Sequence, residues 1–385
     1  MNYSDLKAVI IDLIEKKGKI TFEEFMDLAL YHPEHGYYTY KNERIGKRGD
    51  FYTSSDVHPV FGELIARQLE QMWRLLESGN FTVVEMGAGK GWLCYDIISF
   101  IKDKFPDFFE KLDYKIVEIS KDFVKKQSGI LKEFEDKIKW ESFSSDGFTF
   151  EPVNGCFLSN EFIDSLPVHQ VIVENGCLRE IYVETNNGEF FEIIDELSIP
   201  KLKDYFKELN VNLNEGQKAE VNLKALDWMR NVSSFLKRGF VITIDYGYLA
   251  EDLYSENRAR GTLMCYYKHT TSENPFSRLG NQDITSHVNF SALMQTGKES
   301  GLTTTGYTKQ SHFLIALNIL DKMKESHGNI GRFLTMKNLI LPGGMGDIFK
   351  VLIQHKGVDN PGLGGLRSIT EHELATEIEC LEGDE

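Results

Sequence analysis

The sequence predicts an α/β protein built on a mainly parallel sheet, and three observations carry that prediction. From Phe81 onward, strand-length apolar runs alternate with stretches of helical period. The first of these runs breaks on a glycine turn, Gly87-Ala88-Gly89-Lys90-Gly91, that opens into an amphipathic helix pattern. The same rhythm resumes after each of two interruptions of different character, as expected of insertions into one core.

The elements follow in order. Leu6, Val9, Ile10, Leu13 and Ile14 recur at helical spacing, and Thr21 with Glu24 reads as a capping box ahead of Phe25, Leu28 and Leu30, so the chain opens with a helical cap. A Gly- and Tyr-rich loop containing GDFYTSSD leads into a helix from about Pro59, with Phe61, Leu64, Ile65, Leu69 and Met72 on its apolar stripe. The core then reads as the strand TVVEM, a helix over 92–105, the strand YKIVEI, a helix over 121–127, KIKW, and the strand GCFLSNEF. Between about 168 and 214 the period switches to short β-like runs turning at Asn175-Gly176, an inserted hairpin. A helix over 218–236 and the strand GFVITIDYG restore the rhythm. A second, loop-rich insertion spans about 248–288, after which come the helix NFSALMQTGKES, a strand near 302–306, two helices and a closing strand in MGDIFKVLIQHKG. The organisation is therefore a cap and covering loop over 1–75, a core over 76–356 with its two insertions, and a Gly-rich, then acidic, mobile tail over 357–385.

Composition narrows the classes. A hydrophobic fraction of 41% across 385 residues supplies a large core, and a net charge of −16 disfavours nonspecific binding to nucleic acid or an anionic membrane. Cys94, Cys156, Cys177, Cys265 and Cys380 form no CxxC pair, the first residues carry no export signal, and no apolar run is long enough to span a bilayer; the expected setting is the cytoplasm. His32 and His35 lack a third clustered ligand, so no metal is expected.

The glycine turn decides the ligand. A phosphate-binding P-loop needs a Ser or Thr after its GK, and a dinucleotide fingerprint needs a different glycine spacing; GAGKGW offers neither, and Glu85 ends the strand before the turn. A carboxylate there repels a pyrophosphate and suits the ammonium and sulfonium of S-adenosylmethionine. Glu118 ends the next strand where an acid accepts hydrogen bonds from ribose hydroxyls, and Asn160-Glu161 ends a third. A tight turn with no ligand is the alternative for this segment.

Six blocks, GDFYTSSDVHPVFGELIARQL, VVEMGAGKG, NEFIDSLPVHQ, IDYGY, RGTLMCYYKHTTSENPFSRLGNQDITSHVNFSAL and GDIFKVLIQHKG, occur in this order. Over about 25–357 the chain resembles the MidA family of S-adenosylmethionine-dependent methyltransferases, whose mitochondrial members assist respiratory complex I assembly by methylating an arginine. The resemblance implies a class I, Rossmann-like methyltransferase fold of seven strands with the last antiparallel. It also implies S-adenosyl-L-homocysteine as product and a protein arginine as acceptor. Ala88, Lys90 and Ser55 depart from residues common in the family.

A guanidinium is almost always protonated, so its methylation calls for carboxylates that hold it, localise its charge and take the proton. Glu161 and Asp164 in NEFIDSLP and Asp245 in ITIDYG follow strand ends and are the candidates, a helix cap or a surface acid being the other reading of each. Asp50, Thr53 and Ser54 in the covering loop are placed to meet the methionine end of the cofactor, with turn chemistry as the alternative. The cofactor site thus comprises Asp50, Thr53, Ser54, Glu85, Gly87, Ala88, Gly89, Glu118, Ile119, Asn160 and Glu161. His287 and Asp283 are placed near an acceptor channel, although Ser286 or Asn289 capping the next helix explains that stretch too. A small-molecule acceptor, or an assembly factor that has lost the chemistry, are the competing functions.

Overall fold

A computed structural model of the protein describes residues 2–39, 58–144, 147–326, 329–341 and 344–369. Its centre is a sheet whose strands we number β1 (Phe81–Met86), β2 (Leu112–Val117), β3 (Ile138–Glu141), β4 (Val153–Asn160), β5 (Leu236–Tyr248), β6 (Thr303–Lys309) and β7 (Phe349–Lys356). They lie in the order β6-β7-β5-β4-β1-β2-β3. β1 through β5 pair in parallel, whereas β7 runs antiparallel to both β5 and β6, the arrangement that the resemblance implies.

The central strands are apolar on both sides because helices cover both faces. One face packs on helices α3 (Val60–Leu75) and α4 (Trp92–Lys104) and on later helices such as Gln310–Ala316. The other packs on α6 (Leu223–Phe235) and α7 (Phe290–Glu299), with Trp228, Met229, Phe290 and Leu293 against Val84, Phe157 and Val241. Helix α5 (Lys121–Ile130) follows β2.

The accessory layer differs from the expected hairpin. Helices α1 (Asn2–Lys17) and α2 (Phe22–Tyr31) flank a short strand, Ile20–Thr21, that pairs with Tyr182 and Val183 of the first insertion. That insertion contributes His169–Glu174, Cys177–Asn186 and Glu189–Asp195, plus a helix at Lys201–Glu208. The turn falls at Asn175-Gly176 as expected, with both residues at positive φ. Leu6, Phe25 and Leu30 of the cap share one core with Val168 and Val183 of the first insertion and with Cys265 and Ile284 of the second. The cap and both insertions therefore form one unit, while α3, placed with the cap by sequence, packs on the sheet.

Two further differences have local causes. The helix expected over 218–236 begins only at Leu223: Lys218–Val221 pairs as a strand with His169–Glu174, and Asn222 then caps α6 by accepting from Ala225 N at 2.8 Å. Pairing with an open strand edge overrides the helical propensity of KAEV. The first part of the tail is docked, because Gly364 N and Gly365 N donate to Gln71 and Gln68 of α3 at 2.8 and 2.9 Å. Residues 370–385 lie outside the described residues. Among the described residues no helix is long and apolar enough to cross a membrane.

Candidate active site

The parallel register aligns the strand ends: Met86 of β1 pairs with Val117 of β2 and Ser159 of β4, and Asn160 pairs with Ile244 of β5. The residues after these strands, Gly87, Glu118 and Glu161, thus emerge in a row at the carboxyl edge, level with Asp245 inside β5. This is where open α/β sheets bind ligands. A cleft of about 220 Å³ lies there.

The glycine turn makes one wall. Gly87, Gly89 and Gly91 all have positive φ, and Gly87 N donates to Val117 O at 3.1 Å. A Cβ at Gly87 would meet the Phe162 ring at 3.0 Å, and one at Gly91 would meet Gln127 and Leu131 at 3.3 Å, so close packing as well as φ requires glycine. Lys90, Trp92 and Leu93 continue the wall into α4.

Two acids sit within it. Glu85 is 3% exposed and accepts from Tyr114 Oη at 2.7 Å; burial pushes its carboxyl up to about 7 against the tyrosine bond. Glu118 accepts from Ser120 N at 2.8 Å and Gln127 Nε2 at 3.2 Å, and burial raises it to about 7 as well. Gln127 is itself fixed, donating to Gly89 O at 2.8 Å and accepting from Trp140 Nε1 at 2.8 Å. Glu118 and the glycine turn therefore share one hydrogen-bonded brace.

The β4 end builds the opposite wall. Glu161 has φ +52, a left-handed conformation that costs a residue with a Cβ roughly 1–2 kcal/mol, and its N–H donates to Ile244 O at 2.9 Å. Its side chain lines the cleft, as does Asn160, whose Oδ1 is buried with no partner among the described residues. Asp164 is 5% exposed; Tyr246 Oη donates to Oδ2, while Oδ1 has no partner among the described residues. Burial raises Asp164 to about 6 against the tyrosine bond. The neighbouring Ser165 and two tyrosines of the cap, Tyr31 and Tyr38, complete this wall.

The structure thus brings Glu85, Gly87, Ala88, Gly89, Glu118, Ile119, Asn160 and Glu161 into one cleft. Asp164 and Asp245 do not line it: Asp164 is buried beside it, and Asp245 is fully buried, its Oδ2 accepting from Phe162, Ile163 and Asp164 N at 3.0–3.3 Å and its Oδ1 from Tyr246 N at 2.9 Å. Asp245 fixes the β4 loop from behind instead of facing a ligand. His287 packs its ring on Tyr246 and Tyr248 with its imidazole lowered to about 4 by burial, and Asn289 caps α7 through Ala292 N at 3.1 Å. His32 and His35 stack on one another. Asp50, Thr53, Ser54 and Ser55 lie outside the described residues. Sequence reasoning missed Tyr31, Tyr38 and the brace of Gln127; only Gln127 left a trace, a polar residue one turn from Phe123 on the apolar stripe of α5.

The chemistry of these groups fits S-adenosylmethionine. The unpartnered Asn160 Oδ1 and the Glu85 carboxyl offer acceptors for an ammonium, Glu118 an acceptor for ribose hydroxyls, and Ile119, Phe123 and Phe143 apolar surface for a base. The sheet order and this cleft together define an S-adenosylmethionine-dependent methyltransferase of the class I fold. Residues 64–308 match the family described as "Putative S-adenosyl-L-methionine-dependent methyltransferase", and the chain belongs to it. A Burkholderia thailandensis protein crystallised with S-adenosyl-homocysteine superposes with a TM-score of 0.86 at 28% identity, over 96% of this chain and 97% of that one. The Caenorhabditis elegans mitochondrial protein arginine methyltransferase NDUFAF7 homolog is 26% identical across 83% of this chain and 78% of its own length. The Rattus norvegicus protein arginine methyltransferase NDUFAF7 is 26% identical over 81% and 73%.

Proposed function

We propose that the protein transfers the methyl group of S-adenosylmethionine to an arginine side chain of a protein substrate. The observation that carries this reading is the acid at the β4 end: Glu161 lines the cleft, with Asp164 buried three residues further on. A carboxylate that faces a cleft favours a cationic acceptor. Relatives whose names specify protein arginine methylation support the same acceptor.

Bound in the cleft, S-adenosylmethionine supplies an electrophilic methyl group on a sulfonium. Glu85, Gly87, Ala88, Gly89, Glu118, Ile119 and Asn160 would hold it, and Asp50, Thr53 and Ser54 are proposed to meet its methionine end. Glu161 accepts from the guanidinium N–H groups, orients the acceptor nitrogen and holds the proton that this nitrogen gives up as it gains the methyl group. Asp164 adds negative potential that favours the incoming cation. Asp245 is a positioning residue, keeping Glu161 in its left-handed turn through the amides of the three residues that follow.

Glu161→Gln tests the assignment. The variant should bind cofactor within a few-fold of wild type. Loss of the charged pair should weaken acceptor binding by about 1.5–3 kcal/mol, and loss of the proton acceptor should slow single-turnover transfer about 10²–10⁴-fold. Mass spectrometry of the product peptide that places the methyl group on lysine or a carboxylate would reject the arginine acceptor, and a near-normal rate would reject the role of Glu161.

A further inference from the structure

We propose that the stacked tyrosines Tyr31 and Tyr38, delivered by the N-terminal cap, form the acceptor-recognition platform of the cleft and take a planar guanidinium cation. The inference rests on the arginine reading and names the residues that recognise the side chain.

Both residues line the cleft, Tyr31 beside Ser165. Their centroids are 5.4 Å apart at an interplanar angle of 23°. Both hydroxyls are turned away into protein. Tyr31 Oη is bonded to Ser165 O and Oγ at 3.1 Å, and Tyr38 Oη donates to both oxygens of buried Asp283 at 2.9 and 3.0 Å. Burial, with Asp283 and Asp164 nearby, pushes both phenols upward, so they remain neutral donors. What they present to the cavity is aromatic surface. Donation to a carboxylate enriches the Tyr38 ring in electron density and strengthens its attraction for a cation.

The setting discriminates between cations. A guanidinium is planar, weakly hydrated and stacks on aromatic faces while its edge binds carboxylate, whereas an ammonium keeps its hydration and gains less from a ring. A stacked pair lining the same cleft as the Glu161 carboxylate meets the first description. Lys90, the cation among the described lining residues, lies on the glycine turn.

The test uses the full chain saturated with S-adenosylhomocysteine, titrated with N-acetyl-arginine amide and with N-acetyl-lysine amide by ligand-observed NMR. Wild type should prefer the arginine amide. Tyr31→Leu and Tyr38→Leu should each weaken it about three- to thirtyfold, the range of a partly desolvated cation–ring contact. Tyr31→Phe, which keeps the ring and loses only the Ser165 bond, should stay within about twofold, and S-adenosylhomocysteine affinity should hold in all three. Unchanged arginine-amide affinity in both leucine variants overturns the platform while leaving the arginine reading intact. Loss of S-adenosylhomocysteine binding in them also overturns it, by assigning the rings to the cofactor. A wild type that prefers the lysine amide removes the arginine reading and this inference with it.

Discussion

At the scale of single residues, the site was legible where chemistry is local. A strand whose last residue but one is an acid, and which turns through alternating glycines, dictates its own geometry, so Glu85, Gly87, Gly89 and Glu118 line one cleft. Asp245 shows the limit. Its place after a strand resembled that of Glu161, yet β5 lies one strand further from β1 and its side chain turns inward to collect four backbone amides. Gly87 yields a test at this scale. At φ +63, with the Phe162 ring 3.0 Å from the position of a Cβ, Gly87→Val should cost roughly 1–2 kcal/mol in backbone strain and force Phe162 to move. Calorimetry should show cofactor binding lost and circular dichroism a fold retained. Normal binding by the variant would relocate the cofactor.

At the scale of elements, the periodic helices and the buried strands were readable because burial on one or both faces is written in side-chain spacing. The capping box at the start of α2 appears as expected: Glu24 N donates to Thr21 Oγ1 at 3.1 Å and Thr21 N to Glu24 Oε2 at 3.0 Å. Thr21→Ala should lower unfolding free energy by about 1 kcal/mol, measured by urea denaturation. Because α2 ends at Tyr31, the same variant should raise KM for the acceptor more than the dissociation constant of the cofactor. An equal effect on both would mean that the cap serves the whole cleft and not its acceptor half. Lys218–Val221 could not be read this way. Its main partner edge, His169–Glu174, is almost fifty residues earlier, and pairing there makes KAEV a strand.

At the scale of the whole molecule, acids gathered into low dielectric couple the cofactor to pH. Glu85 has an ordinary value of 4.5 and is raised to about 7 in the fold, so the native state holds its proton more tightly than the unfolded chain does. Its stabilising contribution is complete below about 4.5 and is lost as pH rises through about 7, a difference on the order of 3 kcal/mol. Denaturation midpoints of the ligand-free protein, compared with those of Glu85→Gln, should therefore show wild type losing ground between pH 5 and pH 7–8 by this margin. Glu118 is raised for the same reason, and an ammonium held at Glu85 favours the ionised form of that carboxyl. S-adenosylmethionine should consequently bind more tightly at pH 8 than at pH 6 and release protons as it binds, which calorimetry in buffers of different ionisation enthalpy reads directly. Affinity that does not change across that interval would place the cofactor ammonium away from Glu85.

The sequence by itself determined the α/β class, the glycine turn, the acids at the strand ends and, through six ordered blocks, the methyltransferase family. Each of these is encoded by residues within one element or its flanking turn, where period, φ preference and charge act over a few positions. The tertiary structure decided that the cap and two insertions, separated in sequence by stretches of the core, merge around one apolar cluster. That merger brings Tyr31 and Tyr38 into the cleft that Glu161 lines. It depends on long-range burial, with Leu6 and Phe25 covered only when Val183, Cys265 and Ile284 arrive, and no local pattern carries that information.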